Sequence, residues 1–196
     1  MCGRFTLSAT PGTLAAHFRI EIPGPLPARY NIAPSQDIPI IRWQDGQRRF
    51  AMVHWGLIPF WAKEKKIGYR MINAKAETVA DKPAFRQAFA KRRCLVPADG
   101  FYEWKPTEKG KKQPYFIHRQ DSQPFAFAGL WEQWQDPEGQ MLESCTIITT
   151  DANRLLAPIH ERMPVILDPA DYDCWLDTGQ TRPDDAAALL TPAQPT

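Results

Sequence analysis

The second half of the chain carries the pattern that most constrains the fold, a succession of short β-rich runs with little sequence between them. These runs are residues 94–97, 100–104, 114–119, 124–134 and 143–150. Parallel strands need a crossover connection of a dozen or more residues, whereas the intervals here are short and rich in turn-forming or charged residues. We therefore predict an α+β fold with a curved or barrel-like, mostly antiparallel β-sheet and a few short flanking helices.

The first half of the chain contains local signals for a hairpin and for helix starts. Residues 38–43 and 48–55 are β-rich, and the Asp-Gly pair at 45–46 favours a tight turn between them. Helix starts are predicted at residues 8–11 and 81–83, where polar capping residues come before a proline. All of these elements fit the α+β class.

Length and composition are those of one globular domain. The chain has 196 residues, of which 43% are hydrophobic and 23% are charged, close to the averages of soluble proteins. Apolar runs are too short for a membrane span, and the N-terminus lacks the pattern of a secretory signal. We expect a cytoplasmic monomer with one domain over residues 1–178 and a polar, weakly packed tail over residues 179–196.

The cysteines give no sign of a metal centre. Cys2, Cys94, Cys145 and Cys174 lie far apart, and no two of them form a C-x-x-C pair. This spacing argues against both a zinc knuckle and a disulfide framework. We expect no metal and no cofactor.

Charge and aromatic residues leave two explanations open for the segment around residues 54–61. The net charge is only +2, so any affinity for nucleic acid must come from a local patch. Residues 54–61 are rich in Trp, Pro and Gly, and lysines follow at residues 63–66. Single-stranded nucleic acid binders combine cations with aromatic rings in this way. A Trp-lined edge of the hydrophobic core explains the same residues equally well.

The N-terminus carries a potential nucleophile. Cys2 is small enough for the initiator methionine to be removed, which would leave an α-amine and a thiol on adjacent carbons. An α-amine has a pKa of about 7.7–8.0, so part of it is neutral near pH 7. Such an aminothiol attacks an aldehyde to give an imine and then closes to a thiazolidine. Taken alone, Cys2 is more simply explained as a small buried residue.

Six short motifs follow one another along the chain. They are C-G-R at residues 2–4, N-I-A-P at 31–34, H-W-G-L-I-P-F-W-A at 54–62, I-N-A-K-A-E-T at 72–78, C-L-V-P-A-D-G-F-Y-E-W at 94–104 and I-H-E-R-M-P at 159–164. Together they resemble the SRAP family of abasic-site processing proteins, also called SOS response-associated peptidases. The resemblance implies the SRAP fold and an enzyme that crosslinks itself to abasic sites in single-stranded DNA during the DNA damage response. It also implies association with the nucleoid when the protein is engaged on DNA.

The resemblance also implies roles for individual residues. Cys2 is the expected nucleophile, and the expected catalytic helpers are Asn73, Glu103 and His160. The residues expected to face the DNA are Arg4, Trp55, Lys75, Arg86 and Arg162. A carboxylate can move protons during sugar ring opening, an imidazole can assist loss of water, and an asparagine can orient groups by hydrogen bonding. Without the resemblance, Glu103 and His160 would be taken as structural residues.

One residue departs from the family pattern. The family motif I-N-A-R-A-E-T has an arginine where this chain has Lys75. An ammonium group is a compact point charge and does not offer the two parallel hydrogen bonds of a guanidinium. We expect phosphate binding to survive with less geometric precision.

Two other functions fit the sequence. One is a peptidase in which Cys2 is an N-terminal nucleophile, with the bond after Met1 as its simplest substrate. The other is a single-strand binding module that uses the aromatic loop and basic clusters without covalent chemistry. Lyase activity on the abasic site is a further expectation. Denaturing electrophoresis and peptide turnover separate these functions.

Overall fold

The computed structural model describes residues 2–108 and 110–194. The helices are α1 (Pro11–Phe18), α2 (Arg86–Lys91), α3 (Tyr172–Leu176) and α4 (Pro183–Ala187). The strands are β1 (Phe5–Leu7), β2 (Arg29–Ile32), β3 (Asp37–Gln44), β4 (Gln47–Trp55), β5 (Asn73–Lys75), β6 (Arg93–Ala98), β7 (Gly100–Pro106), β8 (Lys112–Ile117), β9 (Phe125–Gln135), β10 (Met141–Asp151), β11 (Arg162–Pro164) and β12 (Ile166–Leu167). Within the described residues, no helix combines the length and the hydrophobicity that crossing a membrane requires.

Five strands close into a barrel. They pair in the cyclic order β10-β4-β3-β6-β9 and back to β10. The β4–β10 pair is parallel, and the other pairs around the ring are antiparallel. The short strands β5, β11 and β12 extend this sheet from β10 and β9. The predicted fold class, with its barrel-like and mostly antiparallel sheet, is therefore confirmed.

A second, antiparallel sheet has the order β2-β1-β7-β8 and packs on the barrel. Phe5 of β1 lies opposite Phe101 of β7. Both rings meet Phe127 of β9 edge to face, with ring centroids 5.8 and 5.9 Å apart. These contacts fix the N-terminal strand against the barrel, beside β7.

The hairpin between β3 and β4 forms as predicted. Asp45 and Gly46 connect the two strands with φ values of 52° and 75°. A two-residue turn that matches the strand twist requires such left-handed backbone angles, which Asp-Gly pairs adopt readily. The local sequence therefore sets this register correctly.

The two predicted helix starts have different outcomes. α1 begins as expected, because Thr10 Oγ1 accepts a hydrogen bond from the Thr13 N–H and Pro11 is the first helical residue. The second prediction is wrong, since α2 begins at Arg86 and not at residues 81–83. There the backbone N–H groups of Asp81 and Lys82 both donate to the carbonyl of Thr78, so this segment completes the preceding turn.

The residues after Thr178 pack more closely than the polar composition suggests. Ala186 of α4 and Leu190, four residues apart, are 0% and 7% exposed and belong to the hydrophobic core. Buried Arg93 also donates to the carbonyl of Thr181 at 3.0 Å. These contacts attach the segment to the core, although most of its side chains over residues 179–194 are exposed. The boundary at residue 178 stays a prediction, and residues 195–196 lie outside the described residues.

Candidate active site

Pairing of β1 with β7 places Cys2 in the protein interior. The Tyr102 N–H donates to the carbonyl of Arg4 at 2.9 Å, so the ladder continues past Phe5 toward the N-terminus. Continuing this antiparallel register brings Gly3 opposite Glu103. Cys2 is 0% exposed. Glu103 is also near enough for its charge to act on the Cys2 thiol, so the predicted nucleophile and one of its predicted helpers lie in the same region.

The environment of Cys2 keeps its thiol protonated. Burial raises the pKa of the thiol well above its ordinary value, and the negative charge of nearby Glu103 raises it further. A hydrogen bond from the Arg4 backbone acts in the opposite direction but is outweighed. A protonated thiol next to a carboxylate can pass its proton to that carboxylate when it reacts.

Glu103 and His160 share one cavity. Its volume is about 280 Å³, and its lining consists of Glu103, Trp104, Lys112 and His160. This size is close to the lower end of ligand pockets, roughly 300 Å³. Glu103 is only 2% exposed. The cavity thus offers a small ligand a carboxylate and an imidazole together.

A backbone contact defines the protonation pattern of His160. Its Nδ1 atom accepts a hydrogen bond from the Arg162 backbone N–H at 2.9 Å. In a neutral imidazole, one nitrogen accepts and the other carries the proton. The neutral form of His160 therefore carries its proton on Nε2, which can donate a hydrogen bond to a bound group.

Asn73 comes from the other sheet. It lies on β5 beside Ile147 of β10, and its side-chain Nδ2 donates to the Ile147 carbonyl at 3.3 Å. Its Oδ1 atom is buried and has no hydrogen-bond partner among the described residues. Leaving a buried acceptor unpaired is unfavourable. Asn73 can therefore accept a hydrogen bond from a bound group.

Trp55 is placed differently from its expected role. It is 0% exposed, its ring meets Phe5 edge-on at 5.3 Å, and its indole N–H donates to the Ile72 carbonyl. Neither face of this ring is open to a nucleobase, which corrects the expectation that Trp55 faces DNA. Phe60 and Trp61 in the same loop are 51% and 48% exposed.

The four cationic residues expected to contact DNA differ in their accessibility. Lys75 and Arg86 are exposed, and Arg4 is partly exposed while donating to Asn31 Oδ1 at 2.8 Å. Arg162 is 8% exposed and binds the carboxylates of Glu77 and Asp151. Lys75, Arg86 and Arg4 are thus accessible, whereas Arg162 is committed to internal contacts in this structure.

Lys112 lines the cavity but is not among the site residues predicted from sequence, and the same holds for Trp104, which appears there only as the end of a family motif. Lys112 appears in the sequence only as part of the basic stretch at residues 109–112. Its pairing with Pro106 across β7 and β8 brings it to the cavity of Glu103 and His160. Nothing in the local sequence distinguishes it from its lysine neighbours. Across residues 2–108 and 110–194, no cluster of His, Cys, Asp or Glu side chains is arranged to hold a metal ion.

Comparisons with known proteins match this architecture. The family model described as SOS response associated peptidase (SRAP) matches residues 1–196. The abasic site processing protein YoqW of Bacillus subtilis (strain 168) is 48% identical over 195 residues, covering 98% of this chain and 87% of YoqW. The abasic site processing protein HMCES of Rattus norvegicus is 32% identical, with 83% of this chain and 57% of HMCES covered.

Solved structures share the fold along almost the whole chain. A crystal structure of a protein from Bacteroides thetaiotaomicron aligns with a TM-score of 0.90 at 32% identity, covering 98% of this chain and 88% of the other. One from Bordetella bronchiseptica aligns with a TM-score of 0.84 at 28% identity, covering 98% and 95%. With the family match over residues 1–196, these likenesses establish that the chain belongs to the SRAP family.

Proposed function

We propose that this protein processes abasic sites in single-stranded DNA by crosslinking itself to them through Cys2 after Met1 is removed. The observation that carries the proposal is the burial of Cys2 within the electrostatic influence of Glu103, which in turn shares a cavity with His160. The names of the relatives YoqW and HMCES, both abasic site processing proteins, support the same substrate.

Ring opening of the abasic sugar is the first step. The closed sugar is a hemiacetal, and opening it breaks the bond between the anomeric carbon and the ring oxygen. Glu103 accepts the proton of the anomeric hydroxyl and returns one to the ring oxygen, which leaves a free aldehyde. This role is supported by the position of Glu103 in the lining of the cavity that would hold the sugar.

Imine formation follows at the aldehyde carbon. The neutral α-amine of Cys2 adds to this carbon, and the resulting carbinolamine loses one water molecule. His160 donates a hydrogen bond to the carbinolamine oxygen through Nε2–H, consistent with the hydrogen bond that occupies its Nδ1. The proton with which this oxygen leaves as water comes from the carbinolamine nitrogen. Asn73 orients the reacting groups through its unpaired Oδ1.

Ring closure makes the adduct durable. The thiol sulfur of Cys2 adds to the imine carbon, its proton leaves by way of Glu103, and the imine nitrogen gains a proton. The product is a thiazolidine, and one water is released over the whole sequence. Because the pKa of the buried thiol is raised, the thiol remains protonated until this step.

Exposed cations and rings would hold the DNA. Arg4, Lys75 and Arg86 offer positive charge to phosphates, and Phe60 and Trp61 offer ring faces to unpaired bases. Stacking of this kind needs bases that are not paired in a duplex, so we propose a preference for single strands. Lys112 supplies a further cation inside the cavity.

Denaturing electrophoresis tests the proposal. Wild-type protein mixed with a single-stranded oligonucleotide containing one abasic site should give a band that survives denaturation, and the matching intact oligonucleotide should not. Intact-mass measurement of the same protein should show loss of Met1. An absent covalent band, or an equal band with intact DNA, would overturn the proposal. Turnover of peptides in place of a DNA adduct would identify a peptidase.

A further inference from the structure

Arg162 joins three separate segments around the candidate site. Its guanidinium contacts both carboxylate oxygens of Glu77, with Nη1–Oε1 and Nη2–Oε2 distances of 2.7 and 3.0 Å. It also donates to Asp151 Oδ1 at 2.7 Å and to the Thr149 carbonyl at 2.6 Å. The 3-10 turn after β5, the end of β10 and the start of β11 therefore meet at one side chain.

Two predicted catalytic helpers lie directly beside this junction. The Arg162 backbone N–H holds Nδ1 of His160, two residues before it. Glu77 lies in the 3-10 turn that follows β5, the strand that begins with Asn73. The contact between Glu77 and Arg162 thus links the segment of Asn73 to the segment of His160.

Charge and burial make Glu77 an important partner of Arg162. The Arg162 side chain is only 10% exposed, so its charge needs nearby acceptors. Glu77 provides a bidentate pair, a geometry with more directional restraint than a single contact. The hydrogen bond from Arg162 lowers the pKa of Glu77, and the pair is therefore ionised at neutral pH. Asp151 is the second carboxylate, and its side chain is 80% exposed.

We propose that Glu77 is a positioning residue that acts through Arg162 on His160. By holding the arginine, the carboxylate keeps the Arg162 backbone N–H aligned with Nδ1 of His160 and so keeps the imidazole proton on Nε2. It also fixes the distance between the segments that carry Asn73 and His160. The catalytic consequence rests on the proposed function, whereas the effect on the imidazole does not.

The test compares Glu77→Gln with Glu161→Gln. Both variants remove one exposed carboxylate. Glu161 is the neighbour of His160 in sequence, but in the described part of the chain the carboxylates that bind Arg162 are those of Glu77 and Asp151. Long-range ¹H–¹⁵N NMR spectra report which imidazole nitrogen of His160 carries the proton. Single-turnover crosslinking measures the rate, and binding to intact single strands measures DNA affinity.

We expect Glu77→Gln to shift His160 toward a mixture of both tautomers and to slow crosslinking by about tenfold, since small misplacements of catalytic groups cost up to roughly 10²-fold. Glu161→Gln should change neither quantity. In an Arg162→Lys background, Glu77→Gln should slow the reaction no further, because the two residues act as one unit.

Unchanged His160 spectra and an unchanged crosslinking rate in Glu77→Gln would overturn the proposal, as would fully additive losses in the double variant. Glu77→Asp guards against a folding defect, because it keeps the charge and shortens the reach; it should fall between wild type and Glu77→Gln in the His160 spectrum. If wild-type protein forms no adduct, the proposed function fails, and the NMR comparison still decides on the positioning role.

Discussion

The Cys2 thiol and the Glu103 carboxylate are both buried where the N-terminal segment runs along β7, near enough for the charge of Glu103 to act on the thiol. Burial raises the pKa of the thiol, and the carboxylate raises it further. The same carboxylate lines the cavity it shares with His160. One group is therefore placed to serve both the nucleophile and a ligand in the cavity. The first two predictions separate these roles.

Replacing the thiol should abolish the stable adduct without abolishing the first covalent step. Cys2→Ala keeps the α-amine, so an imine still forms and borohydride should trap it on abasic DNA. Without borohydride, the band on a denaturing gel should disappear, because no thiazolidine can close. A stable crosslink from Cys2→Ala in the absence of reductant would assign the chemistry to another residue.

Glu103→Gln should slow the reaction in a way that depends on the substrate. Glutamine keeps the shape of the side chain but cannot accept the proton of the anomeric hydroxyl. Crosslinking to a natural abasic site should slow more than crosslinking to an oligonucleotide that carries an already open aldehyde. Time courses with both substrates give the two rates, and equal slowing would remove Glu103 from the ring-opening step.

Trp61 and Trp55 should respond in opposite ways to alanine substitution. Trp61→Ala should weaken single-strand binding by about 1–3 kcal/mol and leave stability almost unchanged, because the ring is half exposed. Trp55→Ala should lower the free energy of unfolding by about 3–5 kcal/mol, because it empties a core position. Fluorescence titration and urea denaturation measure these changes. Loss of DNA affinity in a stably folded Trp55 variant, with Trp61→Ala unaffected, would contradict this assignment.

The difference between these tryptophans shows where sequence pattern stops being informative. The motif at residues 54–62 predicts an aromatic loop, but a nucleic-acid binding loop and a Trp-lined edge of the core both fit its residues. In the structure, each explanation applies to one tryptophan. Trp55 ends β4 with its ring in the core, whereas Trp61 follows the strand in an exposed turn. The inward orientation of Trp55 depends on packing against Phe5 in a different sheet, a contact that no local pattern encodes.

Barrel closure and the ion pair of Arg162 both depend on contacts between residues that are far apart in the sequence. The spacing of β-rich runs predicts the class correctly, yet closure depends on the parallel pairing of β4 with β10, between residues about 90 positions apart, such as Ser144 and His54. Likewise, the sequence marks Arg162 as a cation in a family motif. Its acceptor Glu77 is 85 residues away, so only the folded chain shows that the charge is already bound.

Lys75 should contribute a single phosphate contact. Lys75→Ala should weaken binding to single strands and make the salt dependence shallower by about 0.7 in the log-log slope. Lys75→Arg should keep the slope and restore the bidentate geometry typical of the family. Titrations at several salt concentrations distinguish these outcomes, and an unchanged slope in Lys75→Ala would exclude a phosphate contact.

The ion pair between Glu77 and Arg162 should make part of the stability depend on pH. The hydrogen bond from Arg162 lowers the pKa of Glu77 in the folded state below its ordinary value of 4.5. The unfolded chain therefore binds a proton at Glu77 more readily than the folded chain does. The stabilisation is fully present above about pH 4.5 and is lost as the pH falls through the lowered folded value.

Urea denaturation of wild type, Glu77→Gln and Glu161→Gln from pH 7 down to about pH 3 measures this effect. The wild-type protein should lose more unfolding free energy over this range than Glu77→Gln, because the glutamine side chain has no proton to bind. Glu161→Gln should follow the wild type. Because the Glu77 side chain is 46% exposed, solvent screening should keep the difference small, but its sign is fixed by the direction of the pKa shift. An equal loss in Glu77→Gln would mean that this pair does not stabilise the fold.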